Sequence, residues 1–219
     1  MFRLIVNLVL QATEQTLIMV LASGAIALLV GLPLAIIVFS ASRKELYGSP
    51  WIARPLSLLI DALRAIPFII LLVILLPVTR WLVGTSLGTG AAIVPLSIAA
   101  IPYYARIAEI ALRGVDTGLI EAVQVMGGSR WMVMCYGVIP EALPSLISGL
   151  TVTLITLTGA SAMAGAIGAG GLGDLAIRYG YQRFNTQVMI AVVVVLIALV
   201  GLIQAIGNFL AKRAAPQRG

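Results

Sequence analysis

From Phe184 to Ala211 the chain carries no acidic or basic side chain, and the same holds from Gln15 to Ser42, Trp81 to Ala105 and Ala142 to Gly173. A helix that crosses the roughly 30 Å hydrocarbon core of a bilayer needs about 20 apolar residues. Each run is long enough. The composition agrees, with 61% hydrophobic and only 10% charged residues, whereas a soluble domain carries about 25% charged residues. The solvent for most of this surface is therefore lipid, and the chain reads as an all-α integral membrane protein.

A fifth run, Ala65 to Thr79, is too short alone. It becomes long enough if Asp61, Arg64 and Arg80 lie at the interfaces, since a charge at the bilayer centre costs about 2.5–3.5 kcal/mol on the insertion scale. Asp61 and Arg64 share a helical face and can partly neutralise each other. Five spans are expected, near residues 16–41, 58–83, 89–112, 141–164 and 186–211, in a single membrane domain covering 1–219. The residues before Gln15 read as an interfacial lead-in to the first span. A cleavage site of small residues followed by a soluble chain is missing, so the lead-in is expected to stay in the mature protein.

With five spans, Arg43, Lys44, Arg54, Arg64, Arg106, Arg113, Arg130, Lys212, Arg213 and Arg218 fall on one side. Only Arg3, Arg80, Arg178 and Arg183 fall on the other. The positive-inside rule places the N-terminus out and the C-terminus in. The net charge of +6 is thus an orientation signal, and no basic patch for nucleic acid is formed. Histidine is absent, which removes imidazole metal ligands, general bases and proton relays. No metal site is expected. Cys135, the one cysteine, has no partner for an intrachain disulfide and reads as a packing residue.

The longest connection on the basic side, about residues 114–140, is mixed and turn-rich. Leu119, Val123 and Met126 fall on one apolar helical face, while Glu121 and Gln124 lie on another. Gly127 and Gly128 end that helix, because the left-handed residue after a helix is best filled by glycine. Ser129 can cap a second short helix, which Gly137 is expected to close. Pro140 fits the first turn of the fourth span. The hairpin from Leu119 to Pro140 has one base, Arg130, and one acid, Glu121, too little charge for strong adhesion to lipid. It suits docking into another protein.

The stretch "EAVQVMGGSRWMVMCYGVIP", Glu121 to Pro140, resembles the EAA loop of ABC importer permeases. Glu121, Ala122, Gly127 and Pro140 keep the family spacing, and Val123, Gly137 and Ile139 depart from it. "LRAIPFIILLVILLPVTRWLVGTSLG", Leu63 to Gly88, and "ITLTGASAMAGAIGAGGLGDLAIRYGY", Ile155 to Tyr181, are similar to segments of methionine-uptake permeases. The similarity runs over roughly residues 13–211. It implies a homodimer in a bacterial cytoplasmic membrane, with two ATPase subunits bound at the EAA loops and an external substrate-binding lipoprotein. Leu119, Ile120, Glu121, Ala122, Val123, Met126, Gly127 and Pro140 would then couple the chain to the ATPase. The chain lacks a Gly-x-x-x-x-Gly-Lys-Ser/Thr loop, so it binds no cofactor of its own, and ATP and magnesium would belong to the ATPase.

Two further stretches admit two readings each. "GAIGAGGLG", with Gly168, Gly170, Gly171 and Gly173, can serve close helix packing or form an external turn at the pathway exit. Met163, in "GASAMAGA", can be plain packing. By the same resemblance, matched here at Ser161-Ala162-Met163, two copies could instead meet on a dimer axis as a gate. Pro67, Pro77, Pro95 and Pro102 can kink spans, and Trp51, Trp81, Tyr103 and Tyr104 are expected as interfacial anchors. A related permease for a quaternary-amine osmoprotectant or a polar amino acid stays open. An ion-coupled carrier fits less well, because the span interiors lack charges and five spans do not split into equal inverted halves. A membrane enzyme lacks a catalytic cluster. A non-transporting scaffold is disfavoured by the docking loop alone.

Overall fold

The computed structural model describes residues 2–44 and 46–215; Arg218, counted above for orientation, lies outside them. All regular structure among the described residues is helical: α1 (Phe2–Ser42), α2 (Pro50–Ala65), α3 (Phe68–Val83), α4 (Thr89–Arg113), α5 (Thr117–Val125), α6 (Arg130–Met132), α7 (Ile139–Gly165), α8 (Gly171–Leu175) and α9 (Thr186–Ala214). π-helical turns at Val133–Val138 and Ala176–Tyr181 lead into α7 and out of α8. Four stretches are long and apolar enough to cross a membrane as single helices, and α2 with α3 forms a fifth as a pair.

That pair departs from the expected single second span. Its axes bend by 102° between Ala65 and Phe68. Pro67 has no N–H and its ring excludes the helical conformation for the residue before it. Ile66 accordingly sits at φ −77°, ψ 122°, and the chain restarts as α3. The lead-in to the first span also differs. Residues from Phe2 onward are the opening turns of α1 itself, and at 41 residues that helix is about 60 Å long. Ile5, Leu8, Val9 and Ala12 pack against α8 and the start of α9.

The centre of the bundle is the α1–α4 pair. Ser23, Ala27, Gly31 and Ala35 recur every fourth residue along α1 and let α4 approach closely. At Gly31 a β-carbon would stand 2.9 Å from the Ile101 carbonyl oxygen. On α4 the facing row is Ala92, Leu96, Ala100, Tyr104 and Ala108, all buried. Ser23 adds a hydrogen bond to the Ile93 carbonyl at 3.4 Å. Interhelical hydrogen bonds in membranes average about 0.6 kcal/mol, so close packing dominates this contact. Tyr104 is therefore a core residue and not an interfacial anchor. It lies well short of the α4 terminus, and its hydroxyl reaches the Leu146 carbonyl at 3.4 Å. Trp51 and Trp81 are exposed, as anchors would be.

One end of the bundle, the basic end, brings together the close of α1, the close of α4 and the start of α7. Glu109, with 1% of its side chain exposed, accepts from Arg106 at 2.8 Å and from Arg113 at 2.7 Å. Arg106 also reaches Ser57 at 3.2 Å and Asp61 at 3.7 Å, and Arg113 reaches Ser42 at 3.4 Å. One buried carboxylate thus ties α1, α2 and α4. At the opposite end, Gly88 donates to the Gly168 carbonyl at 2.9 Å and Thr89 to that of Ala169 at 3.3 Å.

Candidate functional site: the docking segment and the exposed face of α7

Between α4 and α7 the chain folds back on the basic end. Asp116 caps α5 by accepting from the Gly118 N–H at 2.8 Å, so the helix begins where its first free amides are satisfied. Its far end is a Schellman turn. The Gly128 N–H bonds the Val123 carbonyl and the Gly127 N–H that of Gln124, both at 2.9 Å. Gly127 takes φ +83°, the left-handed conformation expected of it. Ser129 then caps α6, its Oγ accepting from the Met132 N–H at 3.3 Å.

Gly137 does not close this second helix. It is buried in the π-helical turn, and the chain runs on without a break into α7. The turn is held by packing on α5: Leu119 and Val123 lie against the buried Val133, Met134 and Val138, and a β-carbon at Gly137 would make only ordinary contact with them. The apolar face read from the spacing is divided by this seating. Leu119 and Val123 pack inward with fully buried Ile120, whereas Met126 is 79% exposed. The outward surface is made by Glu121, Ala122, Val125, Met126 and Trp131. Pro140 lies exposed in the first turn of α7.

From Ser145 to the end of α7 the exposed residues are Ser145, Ser148, Val152, Thr156, Gly159 and Met163. Their spacing of three or four puts them on one face. Met163 is 53% exposed. Ser161, two residues away, is on the other side of the helix. It is buried and its hydroxyl donates to the Thr158 carbonyl at 2.8 Å. The structure therefore separates the two residues that the motif had joined.

The glycine run is an end-of-bundle joint. Gly168, Gly170 and Gly171 have φ between +79° and +95°, conformations that side-chain-bearing residues rarely adopt. Gly171 donates to Gln15 Oε1 at 2.7 Å and Leu172 to Thr16 Oγ1 at 2.9 Å. At Gly173 a β-carbon would overlap the Ala162 backbone. Close packing is the role this geometry supports. Beside these sites, the α2–α3 break opens on a cavity of about 350 Å³ reaching Arg64, Tyr103 and Thr156. The sequence reading missed this cavity, and the only signal for it was Pro67 inside an expected span.

Residues 27–217 match the family described as binding-protein-dependent transport system inner membrane component. The chain belongs to that family. Among its relatives, the probable D-methionine transport system permease protein MetI of Vibrio cholerae is 46% identical over 97% of this chain and 94% of its own length. The methionine import system permease protein MetP of Bacillus subtilis is 44% identical over 80% of this chain and 78% of its own. The permease fold superposes on a chain of the MetNI methionine ABC transporter, solved in inward-facing conformations, with a TM-score of 0.93 and 42% identity. That match covers 96% of this chain and 97% of the other. A chain of an amino acid ABC transporter, at 20% identity and a TM-score of 0.80, shares the fold.

Proposed function

We propose that this permease is the membrane-spanning subunit of an ATP-binding-cassette importer for methionine and close analogues. The 46% identity to the Vibrio cholerae permease across nearly the whole chain carries the reading. In it, two copies of the chain form the pathway in a bacterial cytoplasmic membrane, N-termini outside and C-termini inside. Two ATPase subunits, which hold ATP and magnesium, bind the basic end. An external binding protein delivers substrate to the opposite end, where the glycine joint of Gly168, Gly170, Gly171 and Gly173 lies.

The docking segment supports the coupling role. Its outward residues Ala122, Val125, Met126 and Trp131 are apolar and exposed beside Glu121, while its inward residues key into the π-helical turn that starts α7. A push on Ala122, Val125 and Met126 is thereby passed to the helix that carries Met163. Two Met163 side chains facing each other across a dimer axis would close the pathway with adaptable apolar bulk. Alternating access needs such a barrier.

Co-expression with an ABC ATPase and a binding protein, followed by reconstitution, tests the proposal through ATP-dependent uptake of labelled L- and D-methionine. Uptake driven by an ion gradient in the absence of the ATPase would sink it in favour of a secondary carrier. ATP-driven uptake of glycine betaine or a polar amino acid without methionine would keep the permease and replace its substrate.

A further inference from the structure

The cavity at the α2–α3 break has a polar end and an apolar end. Phe68, Leu71 and Leu157 wall the apolar part. At the polar end stand Arg64, Tyr103 and Thr156. The Arg64 guanidinium lies 5.9 Å from the centre of the Tyr103 ring, and its carboxylate contact among the described residues is Asp61 at 3.3 Å. Asp61 is shared, since Arg106 approaches it at 3.7 Å. Followed outward, the linked ionic groups are Arg64, Arg106 and Arg113 against Asp61 and Glu109. Three cations face two anions. The linked group therefore carries a net positive charge, and Arg64 is its member that borders the cavity.

The remaining polar groups also have capacity to spare. Thr156 has one hydroxyl hydrogen, and the Val152 carbonyl is 2.9 Å away to take it. The Tyr103 hydroxyl, 3.3 Å from Thr156, keeps its own hydrogen for Thr156 or for a ligand. Pro67 has no N–H to give the Leu63 carbonyl, its ordinary helical partner, and Leu63 lines the same cavity. A cation and the hydroxyl groups of Tyr103 and Thr156, which can donate or accept, beside an apolar wall match the carboxylate, the ammonium and the side chain of a small zwitterion. The volume is at the lower end of small-molecule sites.

We infer that this cavity is a transit subsite for an apolar α-amino acid, with Arg64 receiving the carboxylate and Phe68, Leu71 and Leu157 receiving the side chain. It rests on the amino-acid importer reading above. Thr156 shares the exposed face of α7 with Met163 and lies two turns from it, about 10 Å along the axis. A substrate that has passed the Met163 barrier would meet Arg64 next. The bend at Pro67 is what brings the end of α2 into the pathway wall.

The test uses the assembled transporter in membrane vesicles, with Thr156→Cys in a Cys135→Ser background and Ala160→Cys as a second reporter on the same wall. Alkylation of the introduced thiol by N-ethylmaleimide is timed with methionine, with methioninol (the same side chain without a carboxylate), or with neither. At ten times Kd, methionine should slow alkylation about tenfold, the occupancy factor 1 + [L]/Kd. Methioninol should protect far less. Arg64→Gln should abolish the difference between the two ligands, and Arg64→Lys should keep part of it. Equal protection by methionine and methioninol in the chain with native Arg64 would overturn the assignment, whether or not the Arg64 variants fold. Absence of protection at both positions, in vesicles that still take up methionine with ATP, would overturn it too. Vesicles without ATP-driven methionine uptake would instead bring down the functional reading on which it rests.

Discussion

At the scale of single residues, Glu109 and Gly173 hold the bundle by opposite means. Glu109 is a carboxylate almost without solvent, made tolerable by two arginines at hydrogen-bond distance. Replacing it with alanine leaves Arg106 and Arg113 on one face with too few acceptors. Those arginines keep some solvent, so the cost falls below that of a wholly buried broken pair, at about 1–3 kcal/mol. Glu109→Ala should lower the thermal midpoint of the purified complex, and Glu109→Gln should lower it less, because an acceptor oxygen remains. Gly173 works by absence. A methyl group there would strike the Ala162 backbone, and overpacking costs about 1–3 kcal/mol even where side chains can yield. Gly173→Ala should reduce the yield of monodisperse protein in size-exclusion chromatography. Gly201→Ala, which meets open space on α9, should leave that yield unchanged.

At the scale of secondary elements, the proposed coupling rests on how α5 and α6 are joined. The Schellman turn at Gly127 fixes where α5 ends and where α6 begins, and so the angle at which the outward surface is offered. Valine in the left-handed region costs about 1–2 kcal/mol or more. That is enough to unwind a nine-residue helix without unseating the spans. Gly127→Val should therefore abolish substrate-stimulated ATP hydrolysis while the protein still inserts and elutes normally. Gly127→Asn, which tolerates that backbone region, should retain much of it. Full stimulation by the valine variant would remove the docking segment from the mechanism.

At the scale of the whole molecule, one chain leaves a polar and small-residue face of α7 uncovered, and α9 contributes few residues to the core. Two such chains, with their α7 faces opposed, would bring the Met163 side chains together. Oxidation of a Met163→Cys variant in the Cys135→Ser background should yield a disulfide-linked dimer on non-reducing gels. A monomer band alone would place Met163 away from the axis. Met163→Ala should raise ATP hydrolysis relative to uptake, whereas Met163→Leu, similar in volume, should preserve the ratio. Topology is tested independently. A thiol at Ser49→Cys should resist an impermeant maleimide added outside intact cells and react in inverted vesicles.

How far the sequence reached can be seen in particular residues. Runs without charge located the spans, because lipid admits long helices and few charges, and the observed ends fall close to the expected ones for α4 and α9. The turn at Gly127 and the cap at Ser129 were legible for a similar reason: both depend on a few neighbouring residues and on backbone geometry alone. Three features depended on distant neighbours. Whether Pro67 would kink a helix or break it by 102° depended on what α2 packs against. Whether Leu119 and Val123 face a partner or the chain itself depended on the buried Val133, Met134 and Val138 of the π-helical turn. The enclosure of Glu109 needed α1, α2 and α4 together. The local grammar of helix, cap and turn was thus determined by the sequence by itself. Which faces remain open for a substrate, a second copy or an ATPase was decided only by tertiary packing, because exposure belongs to the assembled surfaces and not to any one segment.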